Sequence, residues 1–298
     1  MDQLDAMRVY VAVVESQGFT AASRVLGIPV PTVCRKVANL EEKLGVQLLV
    51  RSTRKISTTS SGMHYYDDAR RILEEISDAS RRVAGEYQQI KGLLTITAPA
   101  LFGRLHILPI LSEFMRLHDE VEVRLLLTNH MLDMLEEHID LGVSIGLRSS
   151  DSMEVIPVTD TRLVVCASPK YLSVAGRPQK PDDLLEHETI TFAKSCMQFP
   201  WPFKMPTEDD CEINIKSRLV LNTAEAAVDS ALKDTGLTQL YYYEAKNFIE
   251  AGALEIVLEN YEIEPTPVII TIPQGPKTPQ KVSAFIDFAI TELRRQLQ

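Results

Sequence analysis

Long apolar runs are missing from this chain. No window holds about 18 consecutive apolar residues, so a membrane-spanning helix is not expected. The N-terminus, MDQLDAMRVY, carries two aspartates and lacks the basic stretch and apolar run of a secretory signal, so the expected location is cytoplasmic with no membrane partner. Cysteine is sparse: Cys34, Cys166, Cys196 and Cys211 lie far apart with no C-x-x-C pair, which argues against a zinc cage or a disulfide framework and for reduced thiols. The six histidines form no H-E-x-x-H or H-x-x-E-H pattern, and G-x-S-x-G is absent, so no hydrolytic constellation is expected. Neither G-x-G-x-x-G nor a P-loop occurs. Together these absences predict a protein that is not an enzyme and has no cofactor and no metal.

What is present is ample apolar material, 45% of 298 residues, and 24% charged residues, enough for two soluble domains. The net charge of −10 is unevenly spread. Residues 1–60 hold eight Lys/Arg against five Asp/Glu, a balance of +3, whereas the remainder holds 23 against 36, or −13. A basic module on an acidic body is a recognised sign of nucleic-acid binding.

Within the basic module, Leu4, Met7, Val11 and Val14 recur at helical spacing, and Gly18 ends that helix. Phe19-Thr20 opens a second, short helix, with Thr20 able to cap Ala22 or Ser23, with Ala22, Val25 and Leu26 facing inward, and with Gly27 as left-handed stop. Pro31 suits the first turn of a third helix, and Val30, which precedes it, is biased to extended geometry. On that helix Val33, Val37, Leu40 and Leu44 form one stripe, while Thr32, Arg35 and Asn39 lie opposite and Lys36 lies on the flank. This describes a helix-turn-helix, whose last helix reads the major groove by its N-terminal residues. A small helical bundle with a solvated face would share the same periodicity. The following run, GVQLLVRSTRKISTT, predicts a hairpin from 47–50 and 55–58, with Arg51, Arg54 and Lys55 as phosphate contacts at a basic tip.

The run FTAASRVLGIPVPTVCRKVANLEEKLGVQLLVRSTRKISTTSSG resembles the winged helix-turn-helix of the LysR-type transcriptional regulators, matching its spacing without a gap over nearly the whole 60-residue module. The main departures cluster at the turn and recognition helix, with milder ones at Ser23, Thr32, Val37 and Leu49. Pro29 stands where the family usually has Ser, Val30 where it has Gln, and Cys34 where it has Ser. The side chains left to read bases are Thr32, Arg35 and Lys36, with Val30 or Pro31 against a thymine methyl. The resemblance implies a double-stranded DNA partner carrying an inverted repeat, a homodimer or homotetramer, and RNA polymerase as a further partner.

From Ser60 to about Ile90 there is no proline, and apolar residues recur from Ala69 through Ile72, Ile76, Ala79 and Val83 to Tyr87 and Ile90. Such a helix of about 30 residues would be roughly 45 Å long, and its stripe needs a partner, either a second chain or the chain's own body. The resemblance implies the dimerising linker. Beyond Lys91-Gly92, strand and helix patterns alternate. Strands are expected at 93–98, 121–127, 141–145, 163–167, 219–222, 239–243 and 268–273, and helices at 101–117, 131–138, 223–234, 244–251 and 278–297. Alternation implies open, largely parallel sheets. Through DLGVSIG, LVVCASPKYL and KVSAFIDFAITEL this part resembles the LysR-type effector domain, with two Rossmann-like lobes akin to periplasmic binding proteins.

The expected fold class is therefore α/β: a winged helix-turn-helix over 1–59, a linker helix over 60–90, and an effector domain over 91–298. The lobes would take about 92–161 with 267–298, and about 162–266. By family position an unknown small-molecule effector would lie against Pro99, Ala100, Leu101, Phe102, Thr128, Asn129 and His130, with Ile145 to Arg148 behind. The second lobe would contribute Met197, Phe199, Trp201, Asn222 and Thr223. Ala98-Pro99-Ala100 lacks the hydroxyl with which many relatives hold a carboxylate, and with the only Trp nearby this points to a less polar or uncharged effector. Tyr241, Tyr242 and Tyr243, expected in a strand, would alternate between its faces. The competing class is a small-molecule-binding protein or enzyme whose basic module serves protein contacts; the charge split and the gapless match favour the regulator.

Overall fold

In the computed structural model, which describes residues 2–51, 56–83, 90–130, 132–146, 152–193, 200–205, 211–275 and 278–297, the first apolar stripe becomes helix α1 (Gln3–Glu15). Asp2 caps it, its carboxylate accepting the Leu4 N–H at 3.1 Å. Helix α2 (Phe19–Leu26) stops at Gly27 and helix α3 (Val30–Leu44) at Gly45, with φ of 66° and 68°, where glycine avoids the Cβ clash. Pro31 sits in the first turn of α3, where its missing N–H leaves no bond unmade. Val33, Val37 and Leu40 are fully buried against Val9, Tyr10, Val13 and Ala22. Each such side chain contributes about 1.5–3 kcal/mol. Leu44, at the end of the stripe, and Val25, expected inward on α2, are exposed instead. Ala22 is the one fully buried residue of α2, and Phe19 and Leu26 pack half-buried against the same core.

Strands β1 (Leu49–Arg51) and β2 (Ile56–Thr58) pair antiparallel as the wing, the first starting two residues later than expected. The Glu41 carboxylate fastens the wing to α3 by accepting the N–H groups of Leu48 and Leu49 at 2.8 and 3.0 Å. Helix α4 (Ser60–Val83) follows. The Tyr10 hydroxyl donates to the Gly62 carbonyl at 2.8 Å, and a Cβ at Gly62 would lie 2.0 Å from the Leu48 carbonyl oxygen, so this crossing requires glycine. Ala69 and Ile72 pack with Met7 and Val11 of α1, so part of the α4 stripe finds its partner within the same unit. This unit is Met1–Gln89; the second is Ile90–Gln298.

The second unit holds two five-stranded sheets. The first contains β3 (Gly92–Ala98), β4 (Val121–Leu127), β5 (Leu141–Ile145) and β6 (Met153–Thr161), with helices α5 (Ala100–Phe102) and α6 (Leu108–Leu117) joined by a π-helical turn at Gly103–Ile107. The chain then crosses to the second lobe. There it forms β7 (Leu163–Ala167), α7 (Pro169–Ala175), β8 (Thr189–Phe192), the hairpin of β9 (Trp201–Phe203) and β10 (Cys211–Ile213), and β11 (Leu219–Leu221). Helix α8 (Ala224–Leu232), β12 (Leu237–Tyr241), α9 (Tyr242–Glu250) and β13 (Glu255–Val257) complete that lobe. Strand β14 (Thr266–Pro273) returns to the first sheet, and α10 (Gln280–Leu297) covers it.

Sheet orders are β4-β3-β5-β14-β6 and β11-β8-β12-β7-β13. The expectation of largely parallel sheets needs correction. β3 runs parallel to β4 and β5, but β14 is antiparallel to both β5 and β6. In the second sheet β12 is parallel to β8 but antiparallel to β7. The cause is the double crossing: a strand that arrives from the other lobe has no helical crossover to reverse it. Phe114 of α6 and Phe285 of α10 meet edge to face at 5.3 Å over the first sheet, while Ala227, Val228 and Ala231 of α8 cover the second. Residues 134–138 form a turn in the stretch where a helix over 131–138 was expected. Asp133 accepts the N–H groups of Leu135 and Glu136, and this Asx-type closure competes with helix formation. Among the described residues no helix is long and apolar enough to cross a membrane.

Candidate functional site

On α3 the buried Val33, Val37 and Leu40 turn the opposite face outward, and Pro31, Arg35, Ala38 and Asn39 are exposed there, with Thr32 half-buried beside them. Val30 is half-buried at the helix start. Pro29 precedes it as an extended cap residue with no side-chain bond to offer. Lys36 faces elsewhere, because its ammonium forms an ion pair with the Asp5 carboxylate of α1 and its side chain is only 23% exposed. Thr20, expected as a cap, is an exposed residue in the first turn of α2, and Gly18 occupies the cap position without a side-chain bond. Arg51 contributes its backbone to the wing, opposite Ile56. Arg54 and Lys55 lie outside the described residues.

The second unit has a cleft between its lobes. One wall comes from the first lobe, with Pro99 and Leu101 at the start of α5, Asn129 after β4, and Ile145 at the end of β5. The other comes from Phe192, Ala224, Glu225, Tyr241, Tyr243 and Glu244 of the second lobe. Its internal volume is about 20 Å³, room for about one water molecule. Asn129 holds the lobes together: its side-chain oxygen accepts the Ala100 N–H at 3.1 Å, and its amide nitrogen donates to the Asn222 carbonyl of the second lobe at 3.4 Å. Phe102, fully buried, meets Tyr243 edge to face at 5.2 Å across the lobes, and His106 lies 5.7 Å from the same ring. Arg104 and Glu225 approach to 4.0 Å across the same gap.

The tyrosine run also needs correction. β12 ends at Tyr241, and Tyr242 and Tyr243 open α9 instead of continuing the strand. Glu244 accepts the Tyr241 N–H at 2.9 Å and the Tyr243 hydroxyl at 3.1 Å, and it is itself buried. Burial, with the Glu244 charge second, holds the Tyr243 phenol well above its ordinary range, so it stays a donor. The rings of Tyr241 and Tyr243 stack at 6.2 Å. Tyr242 instead receives Arg162, whose guanidinium lies 5.7 Å from its ring centre.

Several expected effector contacts are not among the residues that line the cleft. Trp201 is buried in the second lobe beside Phe203, Tyr171 and Leu184, because the β9–β10 hairpin folds its apolar face inward. The Thr223 hydroxyl accepts the Ala226 N–H as the cap of α8. The Thr128 hydroxyl accepts the N–H of His130, whose side chain is exposed. Ala100 is half-buried, with its N–H given to Asn129. Arg148, Met197 and Phe199 lie outside the described residues. Sequence reasoning missed Phe192, Glu225 and Glu244. For Glu244 there was a signal, since a glutamate three residues after a chain bend is half of a capping box. Cys166 is buried, and desolvation pushes its thiol up to about 12, so it is packing material and not a nucleophile.

A three-helix module with an exposed polar helix face and a wing, followed by a two-lobed α/β unit with an interlobe cleft, defines the class of ligand-responsive DNA-binding regulators. Comparison with known proteins agrees. Residues 4–63 match the bacterial regulatory helix-turn-helix protein family, lysR type, and residues 87–294 match the LysR substrate binding domain. The chain belongs to the LysR family of transcriptional regulators. It is 31% identical to an HTH-type transcriptional regulator of Xanthomonas campestris, over 96% of this chain and 84% of that one. It is 29% identical to the HTH-type transcriptional regulator YhjC of Escherichia coli over the full length of both. Among solved structures it resembles CrgA, a LysR-type transcriptional regulator from Neisseria meningitidis, with 26% identity, a TM-score of 0.62, and coverage of 97% and 98%.

Proposed function

We propose that this LysR-type regulator binds an inverted-repeat promoter site as a homodimer or homotetramer and that a small molecule in the interlobe cleft alters its action on RNA polymerase. DNA binding would fall to residues 1–59, association to the helix of 60–90, and effector binding to 91–298. The observation that carries the reading is the exposed α3 face with Arg35 at its centre, opposite a fully buried stripe. Thr32 and Arg35 would read base edges, with Val30 or Pro31 against a thymine methyl. Arg51, Arg54, Lys55 and Thr20 would hold phosphates. A mobility-shift titration on a duplex from the promoter next to the gene tests this. Affinity should fall steeply with salt as phosphate contacts release counterions. Arg51→Ala should weaken all sequences alike, whereas Arg35→Ala should change the preference among them. Equal losses from both variants on every sequence would remove the division of roles.

A further inference from the structure

We infer that Asn39, one turn beyond Arg35 on α3, reads an adenine, so that each recognition helix specifies a guanine and an adenine within about two base pairs of each other. The inference rests on α3 being the helix that enters the major groove, as proposed above. It starts from what the beginning of α3 cannot do. Pro29, Val30 and Pro31 carry no side-chain donor or acceptor. Neither proline has an N–H, and those of Thr32 and Val33 are already given to the Pro29 carbonyl at 2.9 and 3.2 Å. The first turn therefore offers bases little beyond methyl contact, and hydrogen-bond reading has to come from further along the helix.

Further along, the candidates are few. Lys36 is tied to Asp5, and Lys43 donates to Gln3 at 2.6 Å, so both cations are held on α1. Thr32 is half-buried. Arg35 and Asn39 are exposed, and among the described residues neither side chain has a hydrogen-bond or ion-pair partner. Four residues apart, they stand about 40° apart around the helix and about 6 Å apart along it. At about 3.4 Å per base pair that distance spans roughly two steps. Ala38, exposed beside them, has only a methyl group, so nothing there holds the helix off the base edges. Glu42 follows on the same face, but it can only accept and phosphates repel its charge, so the surface ends at Asn39.

The chemistry assigns the bases. An arginine fork fits the O6 and N7 acceptors of guanine. A carboxamide fits adenine, its nitrogen donating to N7 while its oxygen accepts from the N6 amino group. Asn39 contributes little to the fold, being exposed, unpaired and among the weaker helix formers, so its replacement by alanine leaves the helix intact.

The test is selection from a random duplex pool with the full-length wild type, Asn39→Ala and Arg35→Ala, followed by mobility shifts on the enriched duplex. The wild type should enrich a guanine and an adenine within about two base pairs in each half-site. Arg35→Ala marks the guanine, and Asn39→Ala should lose the adenine while keeping the guanine. On the enriched duplex Asn39→Ala should bind at least about fivefold more weakly, and with that adenine replaced by another base the two proteins should bind alike. Replacing the adenine by 7-deazaadenine, which removes the N7 acceptor, should weaken the wild type about fivefold. This arm uses unaltered protein and decides alone if the substitution disturbs the helix. A motif without an adenine in that window, the same adenine preference in Asn39→Ala, or a wild type indifferent to 7-deazaadenine there would overturn the role of Asn39 and leave the regulator reading standing. A wild type that enriches no sequence would overturn both.

Discussion

Arg162 occupies the single residue between β6 and β7, where the chain first passes from lobe to lobe, and its partners, Glu259 and Glu262, lie shortly before the returning strand β14. Its Nε and one terminal nitrogen donate to the two Glu262 carboxylate oxygens at 2.8 and 2.7 Å, and that terminal nitrogen also reaches Glu259 at 2.9 Å. The pair thus ties the two crossings together. Hydrogen bonds to charged groups contribute about 1.5–3 kcal/mol when shielded, whereas exposed pairs contribute about 0.2–1 kcal/mol. With Glu262 only 14% exposed but Arg162 at 41%, the bidentate pair belongs between these limits. Its coupling should be about 1–2 kcal/mol. In a unit of this size that corresponds to a loss of roughly 2 to 8 °C in melting temperature. The single tryptophan, Trp201, is buried in the second lobe and reports its unfolding. Urea titrations followed by its fluorescence, on Arg162→Ala, Glu262→Gln and the double variant, give the coupling directly. A coupling below about 0.3 kcal/mol, within the usual error of additivity, would refute the clamp.

Two further outcomes follow from the geometry. Asp5→Ala should release Lys36 from its ion pair and offer the cation to phosphate. Binding to all sequences should then tighten, and the salt slope should steepen by about one unit; an unchanged slope would mean that the released side chain stays away from DNA. His106 has its Nε2 buried without a hydrogen-bond partner among the described residues, and burial lowers its pKa below the ordinary value of 6.5. Between the lowered and the ordinary value the unfolded chain binds the proton that the folded one refuses. Stability is therefore intact above the ordinary value and is lost as pH falls through it. Thermal melts from pH 7.5 to 5.5 should show a steeper decline in the wild type than in His106→Phe, and parallel curves would remove this role.

Much of the DNA-binding unit was legible because its signals are local. Gly27, Pro31 and Gly45 each impose a backbone geometry that few other residues tolerate, and all three lie at the helix boundaries they predict. In the second unit, strands such as Val121–Leu127 and Leu141–Ile145 were readable from their apolar runs. Met153–Thr161 was not, because its pattern of Glu154, Pro157 and Asp160 among apolar residues belongs to a half-exposed edge, and the sheet shows a bulge opposite it at Val268 and Ile269. The apolar residues Leu132, Met134 and Leu135 looked helical, but only Met134 is buried, and Asp133 closes a turn in place of a helix.

The cleft was harder to read for a different reason. A helix that covers a sheet records in its periodicity which face it turns to that sheet. Phe102, Arg104 and His106 come from the start of a helix and the π turn that follows it, and Glu225 and Tyr243 come from the first turns of α8 and α9. These positions answer to two surfaces at once, their own sheet and the opposite lobe. The π turn shows the consequence. Its wider winding carries Arg104 toward Glu225 while His106 packs beside Tyr243. Gly103 packs this turn close to β4, its α-carbon facing the end of the Leu127 side chain and the Ala98 methyl. A periodicity of 3.6 assigns such residues to one face, but contact with the second lobe is set by pairing between segments more than a hundred residues apart. Residues that join the two lobes therefore sit where the regular pattern breaks, and helix starts that face a second body are the places to look for them.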